Sequence, residues 1–226
     1  MTVVALVPAR GGSRGLPGKN LATVGGRSLV ARAVATAREV RGVDEVVVSS
    51  DDPPILEAGR EAGATAMQRP AALAQDTTTA IDVVRAFLDG RPDVEVVVLL
   101  QPTSPLRVSL DVQRCLDALA AGATTVATVA PIEHPLEWSF RLGSAGRLDP
   151  VFGWAAMTAR RQDAAAVYVL NGAVYAARAA HLSEGGQLVG PDTVAVVMPR
   201  ERSVDIDDAT DLLLARAIAD PSGVAP

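Results

Sequence analysis

The chain has 226 residues, of which 49% are hydrophobic and only 3% aromatic, so its composition predicts a folded protein and excludes a disordered one. Its length suits one fairly large domain. With 21 Lys and Arg residues against 26 Asp and Glu, the net charge of -5 argues against a general nucleic-acid binder, which would carry a basic face. The single cysteine, Cys115, excludes a disulfide scaffold.

The start of the chain has the features of neither a signal peptide nor a membrane anchor. Residues 1–12 have no basic n-region, and their apolar run is short. Elsewhere nothing approaches the roughly 18 consecutive apolar residues that a membrane span needs. We therefore expect a soluble, cytoplasmic protein that does not contact a membrane.

Apolar runs alternate with helical patterns through the first half of the chain. Valine-rich runs at residues 3–7, 45–49 and 94–100 have the length of strands. Their unbroken hydrophobicity is typical of strands buried on both faces of a parallel sheet. Predicted helices follow Ser28, Pro53 and Thr78 or Thr79 as start signals, and a fourth covers residues 110–121. The alternation predicts a doubly wound, mostly parallel α/β sheet of the Rossmann-like type.

After a predicted strand at residues 124–130, the regular pattern weakens. Residues 131–165 and their C-terminal neighbour Tyr168 hold five of the chain's seven aromatic residues. In an aromatic-poor chain, this concentration predicts a protruding subdomain that packs against another surface. Further strands are predicted at 168–176 and 194–198, a last helix at 209–219, a single domain over 1–220 and a frayed tail at 221–226.

A glycine-rich, cationic loop follows the first predicted strand. Residues 8–20 read PARGGSRGLPGKN, with four glycines and the cations Arg10, Arg14 and Lys19, the last being the chain's one lysine. In an open parallel sheet, ligands bind beyond the carboxyl ends of the strands, where backbone N–H groups of such a loop approach phosphate oxygens. The loop therefore predicts a polyphosphate site, against the alternative of a flexible turn with solvated cations. Its spacing fits neither the P-loop pattern nor the dinucleotide fingerprint.

Two acids near the end of the chain predict a metal site. On an extended segment, Asp205 and Asp207 would turn their carboxylates to one side and Ile206 to the other. Paired carboxylates beside a phosphate site are typical of Mg²⁺ binding. The alternative is an N-cap for the helix that follows, a role that Asp208 can fill.

A rigid turn is predicted where the third strand ends. Two prolines stiffen the turn, so Gln101, Ser104 and Arg107 would be presented at the same edge of the sheet. A side-chain amide there suits sugar hydroxyls or an N-acyl group, and Arg107 suits a carboxylate. The alternative for Arg107 is an ion pair with Asp111, four positions further on.

Five segments, in the same order, resemble the acylneuraminate cytidylyltransferases, which make CMP-sialic acid from CTP and a nine-carbon 2-keto sugar acid. They are the loop at 8–20, Arg69-Pro70 with Leu73-Ala74 and Asp76, QPTSPLR at 101–107, NGAVY at 171–175 and SVDID at 203–207. The matches extend over almost the whole chain. The resemblance implies a nucleotidyltransferase that activates sialic acid or a close relative with CTP and releases pyrophosphate.

The motifs and the resemblance together assign roles to individual residues. The predicted nucleotide-binding residues are Ala9, Arg10, Gly11, Gly12, Ser13, Arg14, Lys19, Asn20, Arg69 and Thr78. The predicted sugar-binding residues are Gln101, Ser104, Arg107, Asn171 and Arg161, and the predicted Mg²⁺ ligands are Asp205 and Asp207. Arg10, Lys19 and Asp207 are the expected catalytic residues, because the reaction needs charge neutralised on the departing pyrophosphate. For Thr78, capping of the following helix explains the residue equally well.

The family is dimeric, so the resemblance also implies a homodimer in which residues 131–165 reach the partner's site and Arg161 approaches its sugar carboxylate. The chain departs from the family in having no lysine in that segment, and in carrying Arg14 where most relatives have lysine. One alternative is the CMP transferase for an eight-carbon keto sugar acid (KDO), in whose loop proline follows the lysine where this chain has Asn20. Another is a catalytically inactive CTP-binding module, although the retained Lys19 and the acid pair argue against it.

Overall fold

The computed structural model describes residues 1–13, 15–157 and 165–220. The strands are β1 (Val3–Pro8), β2 (Thr23–Val24), β3 (Arg27–Ser28), β4 (Glu45–Ser50), β5 (Thr65–Gln68), β6 (Val96–Leu99), β7 (Thr125–Pro131), β8 (Phe140–Leu142), β9 (Leu148–Pro150), β10 (Tyr168–Arg178) and β11 (Val194–Val197). The helices are α1 (Leu29–Arg38), α2 (Pro53–Glu61), α3 (Ala80–Asp89), α4 (Ser109–Ala120), α5 (Ala179–Ser183) and α6 (Ala209–Ala219). None of these helices has the length and apolar content that a bilayer span requires.

Seven strands form the central sheet, in the order β11-β7-β10-β6-β1-β4-β5. Neighbouring strands are parallel except at β10, which runs antiparallel to both β6 and β7. Along β1, Val3 and Val7 pack on one side with residues of α1, whereas Val4 and Leu6 pack on the other with residues of α3. Helices therefore cover both faces, which explains why β1 is apolar at every position. The predicted doubly wound, mostly parallel sheet is confirmed.

The helix starts follow the capping chemistry of the sequence. The Ser28 hydroxyl accepts a hydrogen bond from the Ala31 N–H and caps α1. Thr79, rather than Thr78, caps α3 in a capping box with Asp82. The Asp208 carboxylate accepts from two backbone N–H groups at the start of α6. The N-cap alternative for the acid pair is thus filled by Asp208, as the sequence predicted.

Several short elements were not predicted. Strand β5 has four residues, none of them buried, and the hairpins β2–β3 and β8–β9 have strands of two or three residues. Segments of two to four residues have no apolar run to detect. Their pairing is decided by neighbouring strands and turns rather than by local propensity.

Helix α4 places Cys115 in the core. Its side chain is fully buried, and burial raises the pKa of the thiol to about 12. A thiol held in its protonated form is a poor nucleophile. Cys115 is therefore a core residue.

Candidate active site

A cleft opens where β1, β5 and β6 reach their carboxyl ends. Its volume is about 220 Å³. The loop after β1, the residue after β5, the start of α3 and the residues after β6 all contribute to its lining. Seven of the predicted site residues line it: Arg10, Ser13, Lys19, Asn20, Arg69, Thr78 and Gln101. Residues scattered over some ninety positions are brought together because parallel strands end at one edge of the sheet.

The loop after β1 is fastened to the sheet at its first residues. The Ala9 N–H donates to the Ser49 carbonyl at 3.0 Å, and the Asn20 side-chain amide donates to the Arg10 carbonyl at 2.8 Å. Asn20 is 7% exposed, so its amide bridges the two ends of the loop from within. Gly18 has a φ of 67°, a left-handed conformation that glycine adopts without strain. The two described ends of the loop are therefore fixed in place. The nucleotide contact of Asn20 stays a prediction.

Carboxylates already face three donors of this loop. Arg10 Nη1 lies 2.6 Å from Asp76 Oδ1, and the Gly11 N–H donates to Asp51 Oδ1 at 3.0 Å. Lys19 Nζ lies 3.2 Å from Asp207 Oδ1. At each of these donors a phosphate could take the place of the carboxylate. A phosphate site requires donors of this kind. Arg14 lies outside the described residues.

A second cleft of about 560 Å³ adjoins the first. Arg10 and Ser13 line both, and Gly12 and Asp76 line the second. Arg10 thus stands at the boundary between two open volumes. A chain of phosphates bound along the loop would have room on either side of it.

The acid pair meets the loop from the opposite end of the chain. Ile206 between the two acids is fully buried, and its N–H donates to the Thr103 carbonyl at 2.8 Å. The backbone carbonyl of Asp207 lies so close to Gly15 that a side chain at Gly15 would collide with it. The loop and the acidic segment are therefore packed against each other, and Gly15 permits that close approach.

The surroundings of Asp205 disfavour the charged form of its carboxyl group. Burial raises its pKa, the Thr103 side chain opposes that shift by a hydrogen bond, and the nearby Asp207 carboxylate adds to it. A cation between the two acids would relieve this repulsion. Among the described residues no group of three or more His, Cys, Asp and Glu side chains is arranged to hold a metal. The pair could hold Mg²⁺ only with water and phosphate oxygens completing the shell.

Arg69 presents a buried cation to the cleft. The residue is 5% exposed. Its backbone N–H donates a hydrogen bond to the Ser50 carbonyl at 2.8 Å. Its Nε is buried without a hydrogen-bond partner in the described part of the chain. Burial lowers its pKa, with Asp51 opposing the shift and Arg10 adding to it. Because a buried donor without an acceptor is costly, a ligand that offers an acceptor to Arg69 Nε would be favoured here.

Three of the predicted sugar-binding residues lie beneath the cleft rather than in its lining. Ser104 is fully buried, Arg107 is 3% exposed and Asn171 is 6% exposed. The side-chain oxygen of Asn171 accepts a hydrogen bond from the Thr128 hydroxyl at 2.7 Å. Its side-chain nitrogen donates a hydrogen bond to the Ser203 hydroxyl at 2.9 Å. Their roles in sugar binding remain predictions. Arg161 lies outside the residues that the structure describes.

The alternative ion pair for Arg107 is wrong. The Asp111 carboxylate, which is fully buried, instead receives two hydrogen bonds from Arg202, at 3.0 Å from Nε and 2.8 Å from Nη2. Such a forked pair matches guanidinium to carboxylate geometry better than a single contact. Arg107 donates to backbone carbonyls instead.

Sequence reasoning missed residues that shape the site without touching its cleft. Arg202 attaches the acidic segment to α4 through Asp111. Ser203, which begins the recognised motif at 203–207 but was given no role, attaches that segment to β10 through Asn171. Asp51 receives a loop N–H from outside the recognised motifs. Arg202 and Asp111 are 91 positions apart, and Gly11 and Asp51 are 40 apart. Local sequence patterns cannot indicate contacts over such separations. Thr103, by contrast, lies inside the 101–107 motif and could have been named from it.

A phosphate-type loop at the carboxyl end of the first strand of a doubly wound sheet, facing two carboxylates, defines a nucleotide-dependent α/β enzyme. A family model described as Cytidylyltransferase matches residues 4–184. The chain therefore belongs to the cytidylyltransferase family and is a nucleotidyltransferase. The resemblance found in the sequence is confirmed.

Curated relatives agree with the family. The chain is 29% identical over 226 residues to CMP-N,N'-diacetyllegionaminic acid synthase of Legionella pneumophila, covering 96% of both chains. It is 29% identical to N-acylneuraminate cytidylyltransferase of Streptococcus agalactiae, covering 94% of this chain and 52% of that protein. Against the Escherichia coli enzyme of the same name the identity is 27%, again over 52% of its length. The chain thus spans about half the length of these last two relatives.

Solved structures show the same fold. The structure of CMP:2-keto-3-deoxy-manno-octonic acid synthetase complexed with CTP superposes with a TM-score of 0.71 at 21% identity, covering 96% of this chain and 98% of the other. The 4-diphosphocytidyl-2C-methyl-D-erythritol synthase of Anaerococcus prevotii superposes with a TM-score of 0.65 at 15% identity, covering 96% and 95%. At these identities the likeness supports the fold alone.

Proposed function

We propose that this protein activates a 2-keto sugar acid, sialic acid or a close relative such as a legionaminic acid, with CTP. The sugar hydroxyl attacks the α-phosphorus of CTP in line, the bond to the β-phosphate oxygen breaks, and CMP-sugar and pyrophosphate are the products. The observation that carries the proposal is the 3.2 Å contact between Lys19 and Asp207, which joins the phosphate loop to the acid pair. Relatives named for sialic and legionaminic acids support the acceptor class.

The cations of the loop act on the leaving group. Arg10 and Lys19 both line the cleft, and each is paired with a carboxylate that a phosphate can replace. As pyrophosphate departs, negative charge grows on its oxygens, and fixed cations stabilise that charge more than they stabilise bound CTP. Lys19 is only 13% exposed, so its ammonium acts in a region of reduced solvent screening.

The acid pair fits a magnesium ion. Carboxylate oxygens suit Mg²⁺, and a cation between the two acids would offset the repulsion that Asp207, after burial, adds to the raised pKa of Asp205. Asp205 and Asp207 would hold the ion beside the phosphate loop. When bound, Mg²⁺ supplies charge neutralisation of the triphosphate and polarises the attacking hydroxyl. Asp207 would then exchange its contact with Lys19 for the ion.

The acceptor end of the cleft is formed around Gln101. Its side chain lines the cleft and lies against Gly172, beside Asp205. An amide there can donate to and accept from sugar hydroxyls or an N-acyl group, while the acid pair stays within reach of the triphosphate. Gln101 is therefore placed to orient the sugar acid toward the α-phosphorus.

We place the active form as a homodimer in the cytoplasm. The hairpin β8–β9 exposes Leu142 (79%) and Leu148 (54%), the turn after it exposes Phe152 (53%) and Trp154 (66%), and β10 begins with a half-exposed Tyr168 (48%). A two-stranded hairpin with an uncovered apolar surface is marginal in water by itself. A second copy carries the same surface and can cover it symmetrically.

Pyrophosphate release tests this function. The protein is incubated with CTP and Mg²⁺ and with each of three acceptors, namely sialic acid, a legionaminic acid and the eight-carbon keto sugar acid. Release with a nine-carbon acid supports the proposal, and release only with the eight-carbon acid overturns its acceptor class. Tight CTP binding without release in any arm would instead favour a binding module. Asp192→Asn, which changes an exposed carboxylate with no proposed role in the site, is the matched control for Asp207→Asn.

A further inference from the structure

Arg107 occupies an unusual position for a cation beside an active site. Its side chain is 3% exposed, and its Nη1 atom donates to three backbone carbonyls: Gln101 at 2.6 Å, Ser104 at 2.9 Å and Ala173 at 3.3 Å. Burial lowers its pKa to about 9, with Arg32 adding to the shift and Asp111 and Asp205 opposing it. The guanidinium therefore stays charged at neutral pH.

These three carbonyls belong to two different segments of the site. Gln101 and Ser104 lie in the turn after β6, whereas Ala173 lies in β10. Strand β10 is irregular here, since its register with β7 shifts between Leu170 and Tyr175. One buried cation thus links the turn that presents Gln101 to an irregular stretch of the neighbouring strand.

Gly172 is the point at which the two segments meet the acid pair. It has a φ of 70°, and a Cβ atom built on it would lie 2.6 Å from Gln101 Oε1 and 3.5 Å from Asp205 Oδ2. The side chain of Gln101 and the carboxylate of Asp205 therefore approach the same backbone position. The segment that carries Asp205 is bonded to the turn through Ile206 and to β10 through Ser203. The separation between Asp205 and Gln101 therefore depends on how the turn and β10 are held together, and Arg107 links these two segments.

We propose that Arg107 is a positioning residue that holds Gln101 and Asp205 at a fixed separation across Gly172, and that it does not bind the acceptor's carboxylate. The proposal rests on the function proposed above. Its basis is geometric: the guanidinium lies under the cleft, outside its lining, and the hydrogen bonds of its Nη1 atom in the described residues all go to backbone carbonyls. Its Nε and Nη2 atoms are buried without a hydrogen-bond partner in the described residues, but unlike Arg69 they do not line the cleft where a ligand would meet them.

The first test replaces Arg107 and separates kcat from KM. Arg107→Met removes all three hydrogen bonds, and a misplacement of about 1 Å at a reacting group costs up to about 10²-fold in rate. We expect kcat to fall by about 10-fold to 100-fold, with KM for the sugar acid and Kd for CTP within about threefold of the wild type. Arg107→Lys should recover part of the loss, because an ammonium offers three donors at one atom. Arg114→Met, an exposed arginine on α4, is the control.

A double-mutant cycle tests the link to Gln101. If Arg107 acts through Gln101, the loss in kcat for Gln101→Ala combined with Arg107→Met should be close to the larger single loss, not to the product of the two. A loss in kcat for the double variant equal to the product of the two single losses would overturn the proposal. So would an Arg107→Met variant whose acceptor KM rises by about 30-fold or more with kcat retained, which indicates a substrate ligand.

Hydrogen exchange separates failure of this proposal from failure of the function. Amides of residues 101–104 and 171–173 should exchange faster in Arg107→Met than in the wild type, while those of β4 remain unchanged, whatever the enzyme acts on. Unchanged exchange at 101–104 and 171–173 contradicts the positioning role. If Arg107→Met does not fold, as judged by circular dichroism, Arg107→Lys carries both the cycle and the exchange measurement. Wild-type protein without pyrophosphate release contradicts only the proposed function.

Discussion

Lys19 Nζ lies 3.2 Å from Asp207 Oδ1, although 188 positions separate the two residues in the chain. The contact brings the loop after β1 and the segment before α6 to one edge of the sheet. In the proposed reaction, a phosphate takes the place of Asp207 at Lys19, and a cation takes the place of Lys19 at Asp207. The proposed exchange would couple nucleotide binding to metal binding.

Replacing Lys19 removes the cation that faces the phosphates. We predict that Lys19→Ala lowers kcat for pyrophosphate release by about 10²-fold to 10³-fold, the typical effect of one preorganised electrostatic donor. Arg60→Ala, which removes an exposed cation on α2, is the control and should keep the wild-type rate. An unchanged kcat in folded Lys19→Ala protein excludes a catalytic role for this residue.

Replacing Asp207 tests the proposed metal site. Losing even a group that supports a metal ligand costs about 10-fold to 100-fold in affinity, so Asp207→Asn should weaken Mn²⁺ binding in the presence of CTP by about 10-fold or more. Electron paramagnetic resonance of free Mn²⁺ measures this directly, without turnover. Equal Mn²⁺ affinity in Asp207→Asn, Asp192→Asn and wild type contradicts the assignment of Asp207.

The ionised Asp205 carboxylate should lower the free energy of unfolding at neutral pH. Its folded-state pKa is raised, so the folded protein binds a proton there more readily than the unfolded chain does. Ionisation of Asp205 therefore opposes folding, and its unfavourable contribution develops as the pH rises from the unfolded pKa through the folded one. We predict that Asp205→Asn is more stable than the wild type at pH 7 and that the difference disappears near pH 3. Urea unfolding across this pH range measures it, and a variant less stable at pH 7 disagrees with the prediction.

The Arg202–Asp111 pair should stabilise the segment that carries the acids. Asp111 is fully buried and Arg202 is 28% exposed, so Arg202→Ala leaves a buried carboxylate without its forked partner. Breaking such a pair costs about 3 kcal/mol of unfolding free energy, at the lower end of the usual range because Arg202 is partly solvated. Breaking the exposed pair of Arg60 with Glu57 should cost less than about 1 kcal/mol. Urea unfolding of Arg202→Ala and Arg60→Ala compares the two, and equal losses would contradict a structural role for Arg202.

The sequence predicted the parts of the fold that local chemistry decides. Valine runs located β1 and β4 to within a residue, and Ser28 and Asp208 gave the starts of α1 and α6. Strand β5 escaped because its four residues are all exposed or half-buried, and β4 beside it supplies the pairing. Propensity and capping act within a few positions, whereas sheet pairing does not.

The candidate site shows the same division. Motifs brought Arg10, Lys19, Arg69 and Gln101 to notice, and the fold gathers these residues along one cleft. Spacing could not reveal that Arg107 points beneath the turn, because that orientation depends on the carbonyl of Ala173, 66 positions away. Nor could it reveal that Asp111 pairs with Arg202, because the competition between two arginines is decided by tertiary packing.

A crystal structure with CTP and Mn²⁺, with the metal located by its anomalous scattering, tests the central claim most directly. The account predicts one metal bound by Asp205, Asp207 and the triphosphate, with Lys19 in contact with a phosphate oxygen and no longer with Asp207. A triphosphate bound elsewhere, with Lys19 still paired to Asp207 and no metal at the two acids, would contradict it.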